Sequence, residues 1–310
     1  MSMNEGTDPA AADPEWAAWI DGSLCSGRGA AVPVWDRAFL YGDGCFEGMR
    51  VRGGLLFRPQ DHLARLRRSA AALGVQLQWR PDQLIAAVAQ VMAANELTDA
   101  HVRVIVSRGA SAPGGLDPRP ATRPRVVVIA YPLPLRERPV RVMISSITRK
   151  APRSVDAGIK SLNSLDAILA KQQANAAGMD DAFMLDGDGT IAEATTTNVF
   201  VVRDGRVATP TTRAALPGIT RRTVIELLRE ADVEIVERDV TWGELYCADE
   251  CFLTGTAAGI VPVSAVDGRE PAAAPGQITT LVSEAYARTV TRADLTIDLA
   301  QQRAEPAAAE

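Results

Sequence analysis

The stretch Pro132-Leu133-Pro134-Leu135-Arg136-Glu137-Arg138-Pro139 constrains the fold of this 310-residue chain more than any other feature. Its three prolines fix φ and remove backbone donors, so it can hold neither a helix nor a central strand. The chain therefore reads as two folded units, 15–131 and 140–295, joined by a linker at 132–139, with a disordered N-terminus over 1–14 and a loose tail over 296–310. Each unit is long enough to bury its own core.

Residues 16–59 read as strands and tight turns, with Asp21-Gly22 and Gly53-Gly54 as hairpin signals. Pro59 and Gly74 bracket a helix that lines up Leu63, Leu66, Ala70 and Leu73. A second helix follows Pro81, with Leu84, Val88, Val91 and Met92 on one face. Strands at 101–107 and 125–130 flank a Gly/Pro-rich loop, 109–124, long enough to be a lid or a binding segment. The second unit begins with a strand at 140–145 and a helix carrying Leu165, Ile168 and Leu169 on one face. Hairpins follow at Asp186-Gly187-Asp188-Gly189 and Asp204-Gly205, then a helix after Pro217-Gly218 and a terminal helix over 278–291. Strands and helices mix without regular βαβ alternation, which predicts an α+β fold rather than a doubly wound sheet.

With 38 acidic against 33 basic residues and a net charge of −5, the chain has no cationic excess for a nucleic-acid backbone. The longest apolar run, Val126 to Tyr131, falls far short of the ~20 residues that span a bilayer. Residues 1–14 lack the basic start and apolar core of a signal peptide. A soluble, most simply cytoplasmic protein is expected, with no membrane partner and with Cys25, Cys45, Cys247 and Cys251 as reduced thiols. The two histidines, His62 and His101, stand far apart with no second ligand at metal spacing, so no metal site is expected. Neither a G-x-S-x-G elbow nor a dinucleotide glycine fingerprint is present.

Only Lys150, Lys160 and Lys171 are lysines among the 33 basic residues, so chemistry that needs an amine has three candidates. An amine that forms a Schiff base has to be desolvated or otherwise shifted toward its free form. Lys150 sits beside Arg149 and Arg153 in a polar loop, and Lys171 beside Gln172 and Gln173 on the wet side of a helix. Lys160, in Gly158-Ile159-Lys160-Ser161-Leu162-Asn163, stands between an apolar residue and a helix start, where a lysine is not simply solvated. Gly218 ahead of a helix lets the backbone approach a ligand, and the free N–H groups there attract an anion; a plain turn is the alternative. Thr254-Gly255-Thr256-Ala257-Ala258-Gly259 reads as a second anion-accepting turn or a close-packed one. Glu193 closes a hairpin strand, a place where a lone acid is ordinarily solvated.

Six segments occur in one order: Asp36-Arg37-x3-Tyr41-Gly42-Asp43-Gly44-Cys45-Phe46-Glu47-Gly48, Phe57-Arg58, Gly158-Ile159-Lys160-x-x-Asn163, Glu193 to Phe200, Leu216 to Thr220, and Thr254 to Ala258. Together they resemble the class IV, fold-type IV aminotransferases that use pyridoxal 5′-phosphate (PLP), and most of all the branched-chain amino-acid aminotransferases. The resemblance covers residues 16–290. It implies a small α+β N-terminal domain, a larger pseudo-barrel C-terminal domain, PLP held between them, and a homodimer. It also implies a role for each matched residue. Lys160 would hold PLP as a Schiff base and then move the substrate proton. Glu193 would face the pyridine nitrogen and favour the protonated, electron-withdrawing ring. Arg58 would clamp the phosphate. The backbone of Ile219 and Thr220 after Gly218, with the Thr220 and Thr256 hydroxyls, would complete the phosphate cup. Leu216 would pack on the ring, Phe46 and Arg103 would line the substrate pocket, and the Thr256-Ala257 turn would present N–H groups to the substrate carboxylate.

Three positions depart from the branched-chain pattern: His101 and Ser164 stand where that pattern has tyrosines, and Thr197 where it has a glutamate. The Lys-Ser-Leu-Asn and Thr-Thr-Thr-Asn runs look closer to the D-amino-acid branch, whose Pro-Arg-x-His carboxylate trap is nonetheless missing after Arg108-Gly109. The leading expectation is transfer of the amino group of an apolar, branched-chain-like amino acid to 2-oxoglutarate. D-amino-acid or (R)-amine transamination and aminodeoxychorismate lyase activity are alternatives on the same fold. A PLP-binding or small-molecule-binding protein without turnover is the non-enzyme alternative. Lys160 together with Glu193 argues against it, because binding alone needs neither a base nor an electron sink.

Overall fold

The computed structural model describes residues 16–111, 114–121, 123–133 and 138–302. The N-terminal segment 1–14, expected to be disordered, lies outside the described residues, as do 134–137 of the expected linker and 303–310 of the expected tail.

Up to the proline-rich stretch the order is β1 (Ala17–Ile20), β2 (Ser23–Ser26), α1 (Arg37–Tyr41), β3 (Gly44–Arg52), β4 (Leu55–Phe57), α2 (Pro59–Ala72), α3 (Pro81–Ala94), β5 (Ala100–Ser107) and β6 (Arg125–Pro132). Strict alternation decides what each face of this antiparallel sheet carries. On β5 and β6, Val102, Val104, Val106, Val126 and Val128 point into a core under α2 and α3, joined by Leu63, Leu66, Leu84 and Val88 of the helices. The opposite face carries Phe46, Gly48 and Arg50 of β3, paired with Ile105, Arg103 and His101 of β5. One face is thus core and the other is left for chemistry.

The second group comprises β7 (Val140–Ile144), α4 (Leu165–Ala176), β8 (Asp181–Leu185), β9 (Ile191–Ala194), β10 (Asn198–Arg203), β11 (Arg206–Thr209), α5 (Ile219–Glu230), β12 (Ile235–Glu237), α6 (Trp242–Tyr246), β13 (Glu250–Gly255), β14 (Gly259–Val266) and α7 (Gln277–Thr289). Its strands form an eight-stranded mixed sheet in the order β12-β11-β10-β13-β14-β7-β8-β9. Ile191 N donates to Val240 O, tying the strand at one end of that order to the segment after the strand at the other, so the sheet curls toward closure. The α+β expectation with a pseudo-barrel second unit agrees with this architecture. Helices α5 and α7 cover the outside of β10 and β13, where Phe200 and Phe252 stack with ring centroids 5.0 Å apart. Burying each of those rings contributes roughly 1.5–3 kcal/mol.

One sequence expectation is corrected. The tail does not run loose from 296. After α7 the chain returns as β15 (Thr296–Asp298), which pairs antiparallel with β4 and completes the first sheet in the order β15-β4-β3-β5-β6-β1-β2. Leu299 is buried in that sheet's core. A three-residue strand is too short to show alternation, and its stability comes from covering an exposed edge. On α4, Leu165, Ile168 and Leu169 share one face as expected, and that face is the outer one: they are exposed at 66%, 52% and 40%, while Ala167, Ala170 and Ala174 pack on β8. The five-residue helices α1 and α6 carry no readable periodicity. Their caps were the only signal, Asp36 accepting from Ala38 N and Thr241 from Glu244 N. Among the described residues no helix is long and apolar enough to cross a membrane.

Candidate active site

A cavity of about 720 Å³ opens between the chemical face of the first sheet and the mouth of the second. Lys160 enters it on a short segment that docks on β3 where β4 has ended. Phe46 N donates to Lys160 O at 3.0 Å and Leu162 N to Gly44 O at 2.9 Å, with Ser161 bridged to Cys45. This edge pairing turns the Lys160 side chain onto the Phe46 face, its Nζ 4.5 Å from the ring centroid. Burial, and then the charge of Arg65, pull its amine down to about 8. Lys150 and Lys171 also line the cavity, but their amines are committed to Asn163 O and Asp180 O.

Glu193, on β9, is buried at the far side. Its Oε1 lies 2.9 Å from Arg149 Nη2, and its Oε2 accepts from Asn198 Nδ2 and Leu216 N, both at 3.2 Å. Burial raises its pKa, against which Arg149 and the Leu216 N–H favour the carboxylate. Leu216 leads into the N-terminus of α5, where Gly218 is the N-cap. A Cβ at Gly218 would sit 2.1 Å from Asn198 Oδ1, so only glycine lets the strand and the helix end meet. No side chain caps α5 and its first turn holds no acid, which leaves the N–H groups around Ile219 and Thr220 for an anion. Gly218, Ile219, Thr220 and Thr256 all line the cavity.

The remaining wall comes from the first sheet. Arg103 packs over Phe46, its guanidinium carbon 3.9 Å from the ring centroid, and its buried Nε has no partner. No carboxylate pairs with Arg103 among the described residues. Beside it His101 packs against Tyr131, the rings tilted by 46° with centroids 5.3 Å apart. Burial, reinforced by Arg103, holds the His101 imidazole at about 4, neutral, and its Nδ1 is likewise unpartnered. That ring fits because residue 48 is glycine: a Cβ there would come within 2.7 Å of His101 Cε1. Across the cavity, Arg50 Nε and Nη2 each donate at 2.9 Å, to Thr256 O and Ala257 O. A trans peptide points its N–H opposite its C=O, so the amides of Ala257 and Ala258 face away from Arg50, on the cavity-lining turn.

Residues 44–266 match the family model for amino-transferase class IV. The chain belongs to the class IV aminotransferases. It is 34% identical over 291 residues to the branched-chain-amino-acid aminotransferase of Pseudomonas aeruginosa, covering 89% of this chain and 93% of that one. It is 33% identical over 273 residues to the D-alanine aminotransferase of Bacillus licheniformis, covering 87% and 96%. Among solved structures, the branched-chain aminotransferase of Thermoproteus uzoniensis with norvaline superposes with a TM-score of 0.86 at 32% identity, over 91% of this chain and 99% of that one. The branched-chain amino acid aminotransferase of Thermobaculum terrenum, solved in its PLP form, gives 0.83 at 29% identity, over 92% and 99%.

The cavity of this aminotransferase fits the cofactor of that last relative. An uncapped helix N-terminus suits a phosphate, a buried carboxylate suits a protonated pyridine nitrogen, and a desolvated amine suits an aldehyde. Buried Thr197 Oγ1 and Thr254 Oγ1, both without a partner, line the same space.

One expected site residue is not brought in. Arg58 does not line the cavity, and its guanidinium pairs with Glu226, two turns along α5, and with Asp61. It holds the left-handed backbone at φ 46, its N–H bonded to Leu295 O, and its Nε is buried without a partner. To clamp a phosphate it has to exchange Glu226 for that anion.

Arg149, Asn198, Arg65 and Glu47 were given no role from sequence. Arg149 lies in what reads as a polar loop, and only the fold brings it to Glu193. A readable hint existed for Arg65 and His62, since both fall on the inward stripe of α2 with Leu66 and Ser69.

Proposed function

We propose that this PLP-dependent class IV aminotransferase, most like the branched-chain enzymes, moves the amino group of an apolar amino acid to 2-oxoglutarate, with Lys160 as the amine that takes the cofactor. PLP, when bound, supplies an aldehyde that accepts the amino group and a ring that draws electrons from the substrate Cα. Lys160 Nζ, with a free-amine value of about 8, is fit to take a proton from Cα and return one near neutrality. Glu193, buried and steered by Arg149, Asn198 and Leu216 N, holds a proton at the ring nitrogen. The Ala257 and Ala258 amides, turned by Arg50, receive the substrate α-carboxylate. Phe46 and Ile219 supply apolar wall for a hydrocarbon side chain.

The single observation that carries the choice of acceptor is Arg103: a half-buried cation without a carboxylate partner among the described residues, beside the neutral His101. A second carboxylate, as in 2-oxoglutarate, answers that charge. The aminotransferase is further proposed to act as a cytoplasmic homodimer. Support for the dimer comes from exposed Trp35, Phe39, Leu116, Leu165 and Ile168, too much apolar surface to leave wet; support for the compartment comes from four unpaired cysteines.

The D-alanine aminotransferase match keeps the opposite hand as the second reading. Single-turnover mixing of the PLP-loaded enzyme with L-leucine, L-glutamate, D-alanine and D-glutamate separates them by loss of the visible cofactor band. Rapid conversion by both L-amino acids is expected; conversion by the D-amino acids alone overturns the proposal.

A further inference from the structure

Behind the Lys160 wall lies an ionic cluster of which the chemistry above uses only the charge of Arg65. Glu47, on the core face of β3, is fully buried, and both its oxygens are held by Arg65 of α2, from Nε to Oε1 at 2.6 Å and from Nη2 to Oε2 at 2.8 Å. His62 Nδ1 lies 2.7 Å from Oε2; a carboxylate only accepts, so this nitrogen carries the proton. Burial alone would raise Glu47, yet Arg65 and His62 hold it at about 2. The third donor of Arg65, Nη1, crosses to the second unit and bonds Pro217 O at 2.7 Å. That carbonyl lies between Leu216, whose N–H holds Glu193, and Gly218, the cap of α5. Arg65 itself lines the cavity with Lys160.

We propose that Arg65, locked in place by Glu47, is a positioning residue with two tasks: it anchors the 216–220 loop through Pro217 O, and it lays a fixed positive charge on the Lys160 side of the cavity. The groups acting on the amine are Arg65 from α2, Glu47 from β3, Glu193 from β9 and Arg103 from β5, with His62 and His101 buried neutral nearby and the Phe46 ring in contact. Of these charges Arg65 acts most strongly, and it favours the unprotonated amine. A lysine at this position keeps the charge but has one nitrogen where arginine has the three that reach Glu47 Oε1, Glu47 Oε2 and Pro217 O, so it cannot span both partners. The two tasks are therefore separable by substitution.

The proposal rests on Lys160 as the cofactor lysine, and its test reads the amine without the cofactor. Full-length apoprotein is labelled with trace acetic anhydride across pH, and the peptides holding Lys150, Lys160 and Lys171 are quantified by mass spectrometry. PLP affinity is measured separately by tryptophan fluorescence. Arg65→Gln is expected to move the Lys160 midpoint upward by about one unit or more, which slows labelling at the wild-type midpoint by about fivefold or more, with Lys150 and Lys171 unmoved. Arg65→Lys is expected to keep the midpoint and lose about tenfold in PLP affinity, the worth of one charge-assisted bond. A folded Arg65→Gln protein with an unchanged Lys160 midpoint overturns the charge task. If Arg65→Gln does not fold, Arg65→Lys decides: wild-type PLP affinity in that variant overturns the anchoring task, and a displaced Lys160 midpoint overturns the charge task. Borohydride trapping of PLP on the wild type at a lysine other than 160 would instead sink the assignment of the cofactor lysine and leave the Lys160 titration standing.

Discussion

An unfolded chain holds the Lys160 proton up to the ordinary lysine value of ~10.4, whereas the folded protein releases it at about 8. Between those values the unfolded state binds more protons, so apoprotein stability rises with pH across this window, and below about 8 the full cost of the buried charge is present. Lys160→Met is therefore expected to stabilise the apoprotein at neutral pH, by on the order of 1–3 kcal/mol, and to flatten that rise. Thermal melts over pH check it, and an unchanged or lower melting temperature at neutral pH would contradict it. Glu193→Gln keeps an oxygen for the Asn198 and Leu216 N–H groups and removes only the charge. It should retain PLP and lose on the order of 100-fold in kcat; undiminished turnover would remove Glu193 from the ring-nitrogen role. At Arg58, Glu226 competes for the guanidinium. Glu226→Gln should tighten PLP binding by about threefold to tenfold, a fraction of one charge-assisted bond, and equilibrium titration that finds weaker binding would show that Arg58 does not serve the phosphate.

At the level of elements, long periodic segments were legible and short or two-sided ones were not. Helices α2 and α3 begin at Pro59 and Pro81, as their start signals and inward leucines indicate. Helix α4 misleads because its largest apolar residues are not those that meet β8; alanines do, since the helix packs close to the sheet. The exposed Leu165 and Ile168 then need another partner. Changing Ile168 to Glu should leave the monomer folded and weaken self-association, visible by light scattering after size exclusion; an undisturbed dimer would place the interface elsewhere. Strand β15 was invisible for a different reason: three residues gain their order from the edge of β4 and from Leu299 beneath it. Leu299→Ala should cost roughly 2–4 kcal/mol in urea unfolding, and a change below ~0.5 kcal/mol would mean that the return strand is incidental.

For the molecule as a whole, the order of the motifs along the chain was legible and their meeting was not. Lys160, Glu193, the 216–220 loop and the Thr256-Ala257 turn each looked ordinary alone, and the fold gathers them around one cavity. What sequence could not supply were contacts between distant elements: Arg149 reaching Glu193, Arg65 joining Glu47 to Pro217 O, and Arg58 engaged by Glu226. Spacing carries no information about such pairs, because each depends on the register of one element against another. The three lysines give the central claim its most direct test. PLP-loaded protein is reduced with borohydride, digested, and searched by mass for the reduced cofactor on each lysine peptide. The account predicts the added mass on Lys160 and none on Lys150 or Lys171; the mass on either of the other two, or on none while the protein still holds PLP, would contradict it.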